Sequence, residues 1–178
     1  MEKFYLGGDA LLLDSFRLAR KVWDSGWRPD VMIALWRGGT PVGVAVHEFF
    51  VYAGAKVRHT AVKTASYTGI GTRQEARLEF AREALESIGD ADKVLVVDDV
   101  LDSGGTMRAV LDALNVGRRA GDVRSAVLYW KPSAGKYDVK PDYFVGVLEK
   151  WIVFPHELEG LTREEVAKKS PEILELLP

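Results

Sequence analysis

Hydrophobic positions along the chain alternate between short continuous runs and stripes spaced three or four residues apart. The runs are typical of buried strands, and the stripes are typical of amphipathic helices. The runs occupy residues 31–35, 56–63, 94–97, 125–130 and 143–148. The stripes comprise Leu12, Phe16, Ala19 and Trp23; Val42, Ala45, Val46, Phe49, Phe50 and Ala53; Leu78, Ala81, Leu85 and Ile88; and Met107, Val110, Leu111 and Leu114. Strands that alternate with helices predict βαβ units, and therefore an α/β protein with a mostly parallel sheet.

Capping and turn residues mark the ends of two predicted helices. Thr40 fits the N-cap of the second stripe, Pro41 fits its first helical position, and Gly54 fits its end. Near the C-terminus, Thr162 and Glu165 have the spacing of a capping box. A further helix is therefore expected to begin at Thr162.

Two glycine-containing loops directly follow predicted strands. "WRGGT" follows the strand at 31–35, and "DDVLDSGGT" follows the strand at 94–97. Ligands of parallel sheets bind at the carboxyl ends of strands, so these loops form the candidate site. A third glycine-containing loop, at residues 64–74, is weak evidence for any ligand because it lacks a specific pattern.

The second of these loops has the chemistry of a phosphate-binding turn. Gly104 and Gly105 let backbone N–H groups approach an anion closely, and Ser103 and Thr106 add hydroxyl donors. The helix predicted to start there adds a partial positive charge. The turn is neither a Walker loop nor a dinucleotide-binding loop, because it lacks both sequence patterns. The sequence therefore predicts a phosphate-binding turn that belongs to neither of these two classes.

Three aspartates, Asp98, Asp99 and Asp102, accompany this turn, although a carboxylate repels a phosphate. Ionised carboxylates only accept hydrogen bonds, and the hydroxyls of a sugar would donate them. A magnesium ion also suits carboxylate oxygens and is often shared with substrate phosphates. The whole motif therefore predicts a ligand with a terminal phosphate, a ribose with free hydroxyls, and a bound metal.

The string "VLVVDDVLDSGGT" (residues 94–106) resembles, at every position, the phosphoribosyl-diphosphate (PRPP) binding motif of type I phosphoribosyltransferases. The likeness extends over roughly residues 15–160. It implies a Rossmann-like parallel-sheet α/β core and a small C-terminal hood. The expected organisation is one domain, residues 1–178, with a core at about 15–130, a base-recognition hood at about 131–160 and a helical tail at 161–178.

The resemblance also implies how PRPP is held. "LWRGGTPVG" (residues 35–43) is similar to the pyrophosphate loop of the 6-oxopurine enzymes. By this likeness Arg37 binds the diphosphate together with the N–H groups of Gly38 and Gly39, and the Trp36–Arg37 peptide is cis. Asp98 and Asp99 would bind the ribose.

The remaining PRPP contacts come from the long motif. Ser103, Gly104, Gly105 and Thr106 would hold the 5′-phosphate. Asp99 is the expected ligand of a Mg²⁺ cofactor. Asp102, as the loop carboxylate expected nearest the purine N7, is assigned the proton transfer. Asp102 and Arg37 are thus the catalytic candidates.

Three further segments resemble parts of purine enzymes. Residues 65–77 are similar to the mobile loop that excludes water, including the pair Ser66 and Tyr67; the alternative is a plain surface loop.

The segments "YWKPSAG" and "LEKWIVFPHE" resemble purine-recognition segments. Lys131 would donate to the purine O6, Trp151 would stack on the ring, and the Ile152 backbone would contact its edge. Alternatively, Trp151 is a core residue and Lys131 a solvated strand end.

The activity implied is transfer of ribose 5-phosphate from PRPP to guanine, hypoxanthine or xanthine, which yields a nucleoside monophosphate and pyrophosphate in purine salvage. The segment "FPHELEG" departs from the bacterial xanthine–guanine pattern, so the preferred base stays open and an archaeal-type branch is plausible. One alternative is a non-catalytic PRPP-binding regulator. Another is a transferase for adenine, uracil or orotate, although Lys131 disfavours adenine, whose 6-amino group is a donor. The family implies a homodimer.

Composition and charge limit the partners, the chemistry and the cellular location that are expected for the protein. A net charge of −2 gives no electrostatic reason to expect a nucleic-acid or membrane partner. The absence of cysteine excludes disulfides and thiol catalysis. His47, His59 and His156 are not spaced as metal ligands. A cytoplasmic protein is expected, and the scarcity of Asn, Gln and Cys suggests a thermophilic source.

Overall fold

The computed structural model describes residues 2–65, 77–79, 88–89, 91–115 and 123–178. These residues form eight strands and five α-helices. The strands are β1 (Lys3–Tyr5), β2 (Val31–Trp36), β3 (Arg58–Ala65), β4 (Arg77–Glu79), β5 (Val94–Leu101), β6 (Val123–Trp130), β7 (Tyr143–Val147) and β8 (Trp151–Val153). The helices are α1 (Gly8–Asp24), α2 (Gly39–Tyr52), α3 (Gly105–Asn115), α4 (Arg163–Lys169) and α5 (Pro171–Leu176).

The chain divides into two compact units. The larger unit is Asp14–Glu149, and the smaller combines Met1–Leu13 with Lys150–Pro178. No helix in the part of the chain that the structure describes is both long and apolar enough to cross a membrane.

The larger unit contains a six-stranded sheet in the order β4-β3-β2-β5-β6-β7. All neighbouring strands are parallel except β4, which runs antiparallel to β3. The predicted α/β class with a mostly parallel sheet is confirmed. Residues 31–35 of β2 and 94–97 of β5 are buried, as expected for central strands covered on both faces. The two strands are direct neighbours, with Ala34 paired to Val97.

Helices α2 and α3 each begin within a few residues of the end of the strand before them. Val42, Val46 and Phe50 of α2 are fully buried, as the stripe predicts. The predicted N-cap at Thr40 is wrong, because Gly38 is the N-cap and Thr40 lies inside the helix. The Thr40 hydroxyl instead donates a hydrogen bond to the Arg37 carbonyl, at 2.6 Å.

The buried stripe predicted for helix α1 is right at Ala19, which is fully buried, and wrong at Leu12 and Phe16. Leu12 and Phe16 are exposed, at 51% and 37%, whereas Leu18 and Val22 are fully buried. The buried face also carries Asp14, which is 8% exposed. Tyr129 donates a hydrogen bond to one Asp14 oxygen at 2.6 Å, and Arg17 donates to the other at 2.8 Å. A polar residue is tolerated on the buried face because both of its oxygens are bonded.

The helix predicted from Leu78 does not begin there. Leu78 belongs to β4 and pairs with Thr64 of β3. Strand β4 lies antiparallel to β3 on the side away from β2, so Leu78 contributes to the sheet and not to a helix. Ala81 and Leu85 lie outside the described residues, and Ile88 is buried.

The smaller unit pairs the two ends of the chain. Strand β1 runs parallel to β8, with Phe4 opposite Ile152. Helix α4 begins with the predicted capping box. The Glu165 N–H donates to Thr162 Oγ1 at 3.3 Å, and the Thr162 N–H donates to the Glu165 carboxylate at 3.1 Å. Glu165 also forms an ion pair with Lys3, which links α4 to β1.

Candidate functional site

The two predicted loops meet at the carboxyl ends of β2 and β5. A Cβ atom on Gly38 would lie 2.2 Å from Oδ2 of Asp99, and one on Gly39 would lie 2.4 Å from the Val97 carbonyl oxygen. Gly39 therefore leaves no room for a side chain against the backbone of β5, whereas a side chain at position 38 would displace the Asp99 carboxylate. The Trp36–Arg37 peptide at the start of this loop is cis, so that prediction is confirmed.

Two adjacent carboxylates lie where β5 passes this loop. Asp99 is buried, with 9% exposure, and Asp98 is half-buried and accepts a hydrogen bond from the Asp99 N–H at 3.0 Å. Burial raises the pKa of the Asp98 carboxyl well above its usual range, and the Asp99 carboxylate raises it further. A ligand that brings hydroxyl donors or positive charge would favour the ionised form of this pair.

These carboxylates do not form a complete metal site. Among the described residues, no group of three or more His, Asp or Glu side chains is arranged to hold a metal ion. Mg²⁺ is usually bound by one or two carboxylates together with water and substrate phosphates, so an incomplete set of oxygen ligands fits this ion.

The turn from Ser103 to Thr106 connects β5 to α3. Gly104 has a φ of +84°, a conformation that favours glycine. The Gly104 carbonyl accepts the first hydrogen bond of α3, from the Arg108 N–H at 2.9 Å. A pocket of about 100 Å³ opens beside this turn. Its lining residues are Asp98, Val100, Leu101, Asp102, Ser103, Gly104, Thr106 and Met107.

Lys131 and Asp102, predicted for base binding and proton transfer, lie together. Lys131 Nζ is 3.2 Å from Asp102 Oδ2. The Lys131 side chain is 8% exposed, whereas the Asp102 side chain is 46% exposed. The alternative that Lys131 is a solvated strand end is therefore wrong. The Lys131 N–H donates to the Leu101 carbonyl at 2.9 Å, which fixes this residue beside the end of β5.

The other residues predicted to contact the base belong to the smaller unit. Trp151 is 46% exposed and Ile152 is 4% exposed, next to each other on β8. The alternative that Trp151 is a core residue is wrong, because nearly half of its surface is accessible. Ser66 and Tyr67, predicted for the mobile loop, lie outside the described residues.

The sequence analysis missed two features. The rings of His47 and His59 lie 4.3 Å apart, because α2 and β3 bring them together from 12 positions apart in the chain. Tyr137 packs beside the phosphate-binding turn, where a Cβ on Gly105 would lie 3.0 Å from its Cε2 atom. No motif marks Tyr137, so only the tertiary structure could identify this contact.

Two glycine loops that meet at neighbouring parallel strands, with carboxylates between them, define the site architecture of a type I phosphoribosyltransferase. The family model for the phosphoribosyl transferase domain matches residues 5–161, and the chain therefore belongs to this family.

Individual relatives agree with this assignment. The structure of a purine phosphoribosyltransferase from Pyrococcus horikoshii is 29% identical, with a TM-score of 0.72 over 91% of this chain and 98% of that chain. A xanthine-guanine-hypoxanthine phosphoribosyltransferase from Helicobacter pylori shares the fold at 24% identity, with a TM-score of 0.64 over 86% of this chain and 90% of that chain. A curated HGPRTase-like protein 1 from Haloquadratum walsbyi is 38% identical over 73 residues, which span 39% of each chain.

Proposed function

We propose that this protein is a purine phosphoribosyltransferase that transfers ribose 5-phosphate from PRPP to a 6-oxopurine and releases pyrophosphate. The observation that carries the proposal is the contact between the two loops at Gly38 and Asp99. It places a candidate diphosphate loop directly against the candidate ribose carboxylates. The likeness to the P. horikoshii purine enzyme supports a purine as acceptor, and the HGPRTase-like name supports a 6-oxopurine.

In this proposal the substrate lies across the carboxyl ends of β2 and β5. The turn from Ser103 to Thr106 holds the 5′-phosphate with backbone N–H groups, hydroxyls and the α3 N-terminus. Asp98 and Asp99 accept hydrogen bonds from the ribose hydroxyls. Arg37 and the N–H groups of Gly38 and Gly39 hold the diphosphate and stabilise the charge that develops on it as it leaves.

A magnesium ion bound with PRPP would neutralise diphosphate charge and help to orient it. Asp99 is the proposed carboxylate ligand, with Asp98 beside it. The diphosphate and water would supply the remaining oxygens, in keeping with the incomplete set of protein ligands.

The base must lose a proton when its ring nitrogen bonds to the anomeric carbon and the bond from that carbon to the diphosphate oxygen breaks. Asp102 is the proposed acceptor of this proton. The Lys131 ammonium at 3.2 Å orients the Asp102 carboxylate in the free protein. When a base binds, Lys131 would donate to the purine O6, an acceptor that guanine, hypoxanthine and xanthine share.

Trp151 and Ile152 complete the proposed base contacts, with ring stacking from Trp151. Ser66 and Tyr67 would belong to a loop that closes over the reacting atoms. A homodimer in the cytoplasm is part of the same proposal, as is the absence of nucleic-acid and membrane partners.

The test is pyrophosphate release from PRPP and Mg²⁺ with guanine, hypoxanthine, xanthine, adenine, uracil and orotate offered singly. Release with at least one 6-oxopurine, and its loss in Arg37→Ala, is the expected result. Release only with adenine, uracil or orotate would replace the proposed base. Tight PRPP binding without release for any base would instead identify a PRPP-binding regulator.

A further inference from the structure

The segment Lys136–Tyr137 contacts the phosphate-binding turn from outside the PRPP motif. The Ser103 carbonyl accepts two backbone hydrogen bonds, from the Lys136 N–H at 2.9 Å and the Tyr137 N–H at 3.3 Å. Both donors lie more than thirty positions beyond Ser103 in the chain. The pocket beside the turn is lined by Ser103 and Gly104 but not by Lys136 or Tyr137.

The Tyr137 side chain covers the glycines of the same turn. A Cβ on Gly104 would lie 3.6 Å from Tyr137 Cβ, and one on Gly105 would lie 3.0 Å from Tyr137 Cε2. The backbone of the turn thus packs directly against the tyrosine. A glycine pair is conformationally free, so a turn built on it needs outside contacts to hold a single conformation.

The direction of the Ser103 carbonyl determines what the turn offers to an anion. The C=O and N–H groups of one trans peptide point in opposite directions. Holding the Ser103 carbonyl toward Lys136 and Tyr137 therefore directs the Gly104 N–H away from them. If this peptide flipped, a carbonyl oxygen would replace an N–H donor, and that oxygen would repel a phosphate.

We propose that Lys136–Tyr137 is a positioning element for the 5′-phosphate of PRPP. Its two N–H groups fix the Ser103–Gly104 peptide, and the Tyr137 ring holds the two glycines in place. The segment acts through the turn and not by touching the substrate. The inference rests on the proposed function of the turn as the 5′-phosphate site.

The first experiment compares Tyr137→Ala with Tyr137→Phe. The alanine variant loses the ring, whereas the phenylalanine variant keeps it. We expect Tyr137→Ala to raise the Kd and KM for PRPP about tenfold, the scale of one misaligned hydrogen bond to a charged group. The Kd for pyrophosphate alone, the KM for the base and the kcat should change less than twofold. Tyr137→Phe should match the wild type in all of them.

The second experiment compares Lys136→Pro with Lys136→Ala. Proline removes the N–H that bonds to Ser103, and the preceding Gly135, at φ −59° and ψ 117°, already has a backbone conformation that tolerates a following proline. Alanine removes the lysine charge but keeps the N–H. Weaker PRPP binding in the proline variant alone supports the positioning role. Equal weakening in both would assign the effect to the lysine charge and overturn it.

The wild-type measurements separate this inference from the proposed function. If the wild type binds no PRPP, the proposed function fails. If it binds PRPP and Tyr137→Ala binds equally well, the positioning role fails while the function stands. If a substitution at one of the two positions sharply lowers the urea unfolding midpoint, the pair of variants at the other position decides the test. An equal loss of PRPP and pyrophosphate affinity would indicate general disruption of the site and would also refute the role.

Discussion

Replacing Gly39 with alanine tests whether the two loops must touch. The added Cβ would lie 2.4 Å from the Val97 carbonyl oxygen and 2.9 Å from Asp98 Cα. Comfortable contacts between heavy atoms are about 3.5–4.0 Å, so the loop would have to move by about 1 Å. Both neighbours are backbone atoms of a central strand, and no side-chain rotation can relieve the collision.

Two effects of this substitution oppose each other. Replacing glycine with alanine lowers the conformational entropy of the unfolded chain. This stabilises a protein by about 0.4–1 kcal/mol where alanine can adopt the native backbone conformation. Overpacking typically costs about 1–3 kcal/mol. The collision should dominate, so we expect a net loss of about 1–2 kcal/mol in the free energy of unfolding. Displacement of the loop by about 1 Å should also weaken the binding of PRPP to the protein at least tenfold.

The assay is urea unfolding, together with titration of PRPP in the presence of Mg²⁺. Gly7→Ala is the matched control, because nothing lies within 4 Å of the Cβ it would add. Gly38→Ala is a second comparison, because its Cβ would meet the Asp99 carboxylate, which is a side chain and can rotate. It should lose less stability than Gly39→Ala but still lose activity. An unfolding midpoint and a PRPP affinity that are both unchanged in Gly39→Ala would refute the close contact of the loops.

Three further predictions concern single side chains. Asp102→Asn should lower kcat at least a hundredfold while changing the Kd of PRPP less than threefold, because general acid–base catalysis contributes on that scale; equal losses in steady-state kinetics and binding would exclude the proton role. Burial, and then the hydrogen bond to Asp14, raises the pKa of Tyr129 in the folded protein. The neutral Tyr129 hydroxyl therefore contributes fully to the free energy of unfolding below the ordinary tyrosine pKa of about 10, and this contribution is lost as pH rises through the folded-state pKa. Urea unfolding from pH 8 to 11 should show this decline in the wild type and a weaker one in Tyr129→Phe, and identical slopes would contradict it. Thr162→Ala should destabilise the protein by about 1 kcal/mol through loss of the N-cap without changing kcat, and an unchanged unfolding midpoint would show that the capping box does not contribute.

The central part of the fold could be predicted because its signals are local. A continuous apolar run such as residues 94–97 has few alternatives to a buried strand, and the stripes of α2 and α3 have a clear helical period. Asp98, Asp99 and the turn at 103–106 adjoin one strand, so the motif brought them together by chain connectivity alone. The cis peptide at Trp36–Arg37 followed from family likeness and not from any physical signal in the residues.

Predictions failed where a distant contact decided between local alternatives. Helix α1 carries two stripes that are offset by one position and share Ala19, and the buried one includes Asp14, whose carboxylate accepts a hydrogen bond from Tyr129 of β6. Leu78 fits a helical period but pairs with β3. Backbone pairing with an existing strand edge is a tertiary interaction that local propensity does not contain.

Signals from residues close together in the chain were sufficient for the central alternation of strands and helices, the two glycine loops and the family, but not for β1, β4 or β8. Three contacts of the site depend on the folded chain: Gly38 with Asp99, Lys131 with Asp102, and Tyr137 with the phosphate-binding turn. The pairing of β1 with β8, almost 150 residues away, depends on it as well. Contacts of this kind depend on strand order and register across the whole chain, and no spacing of neighbouring residues encodes them.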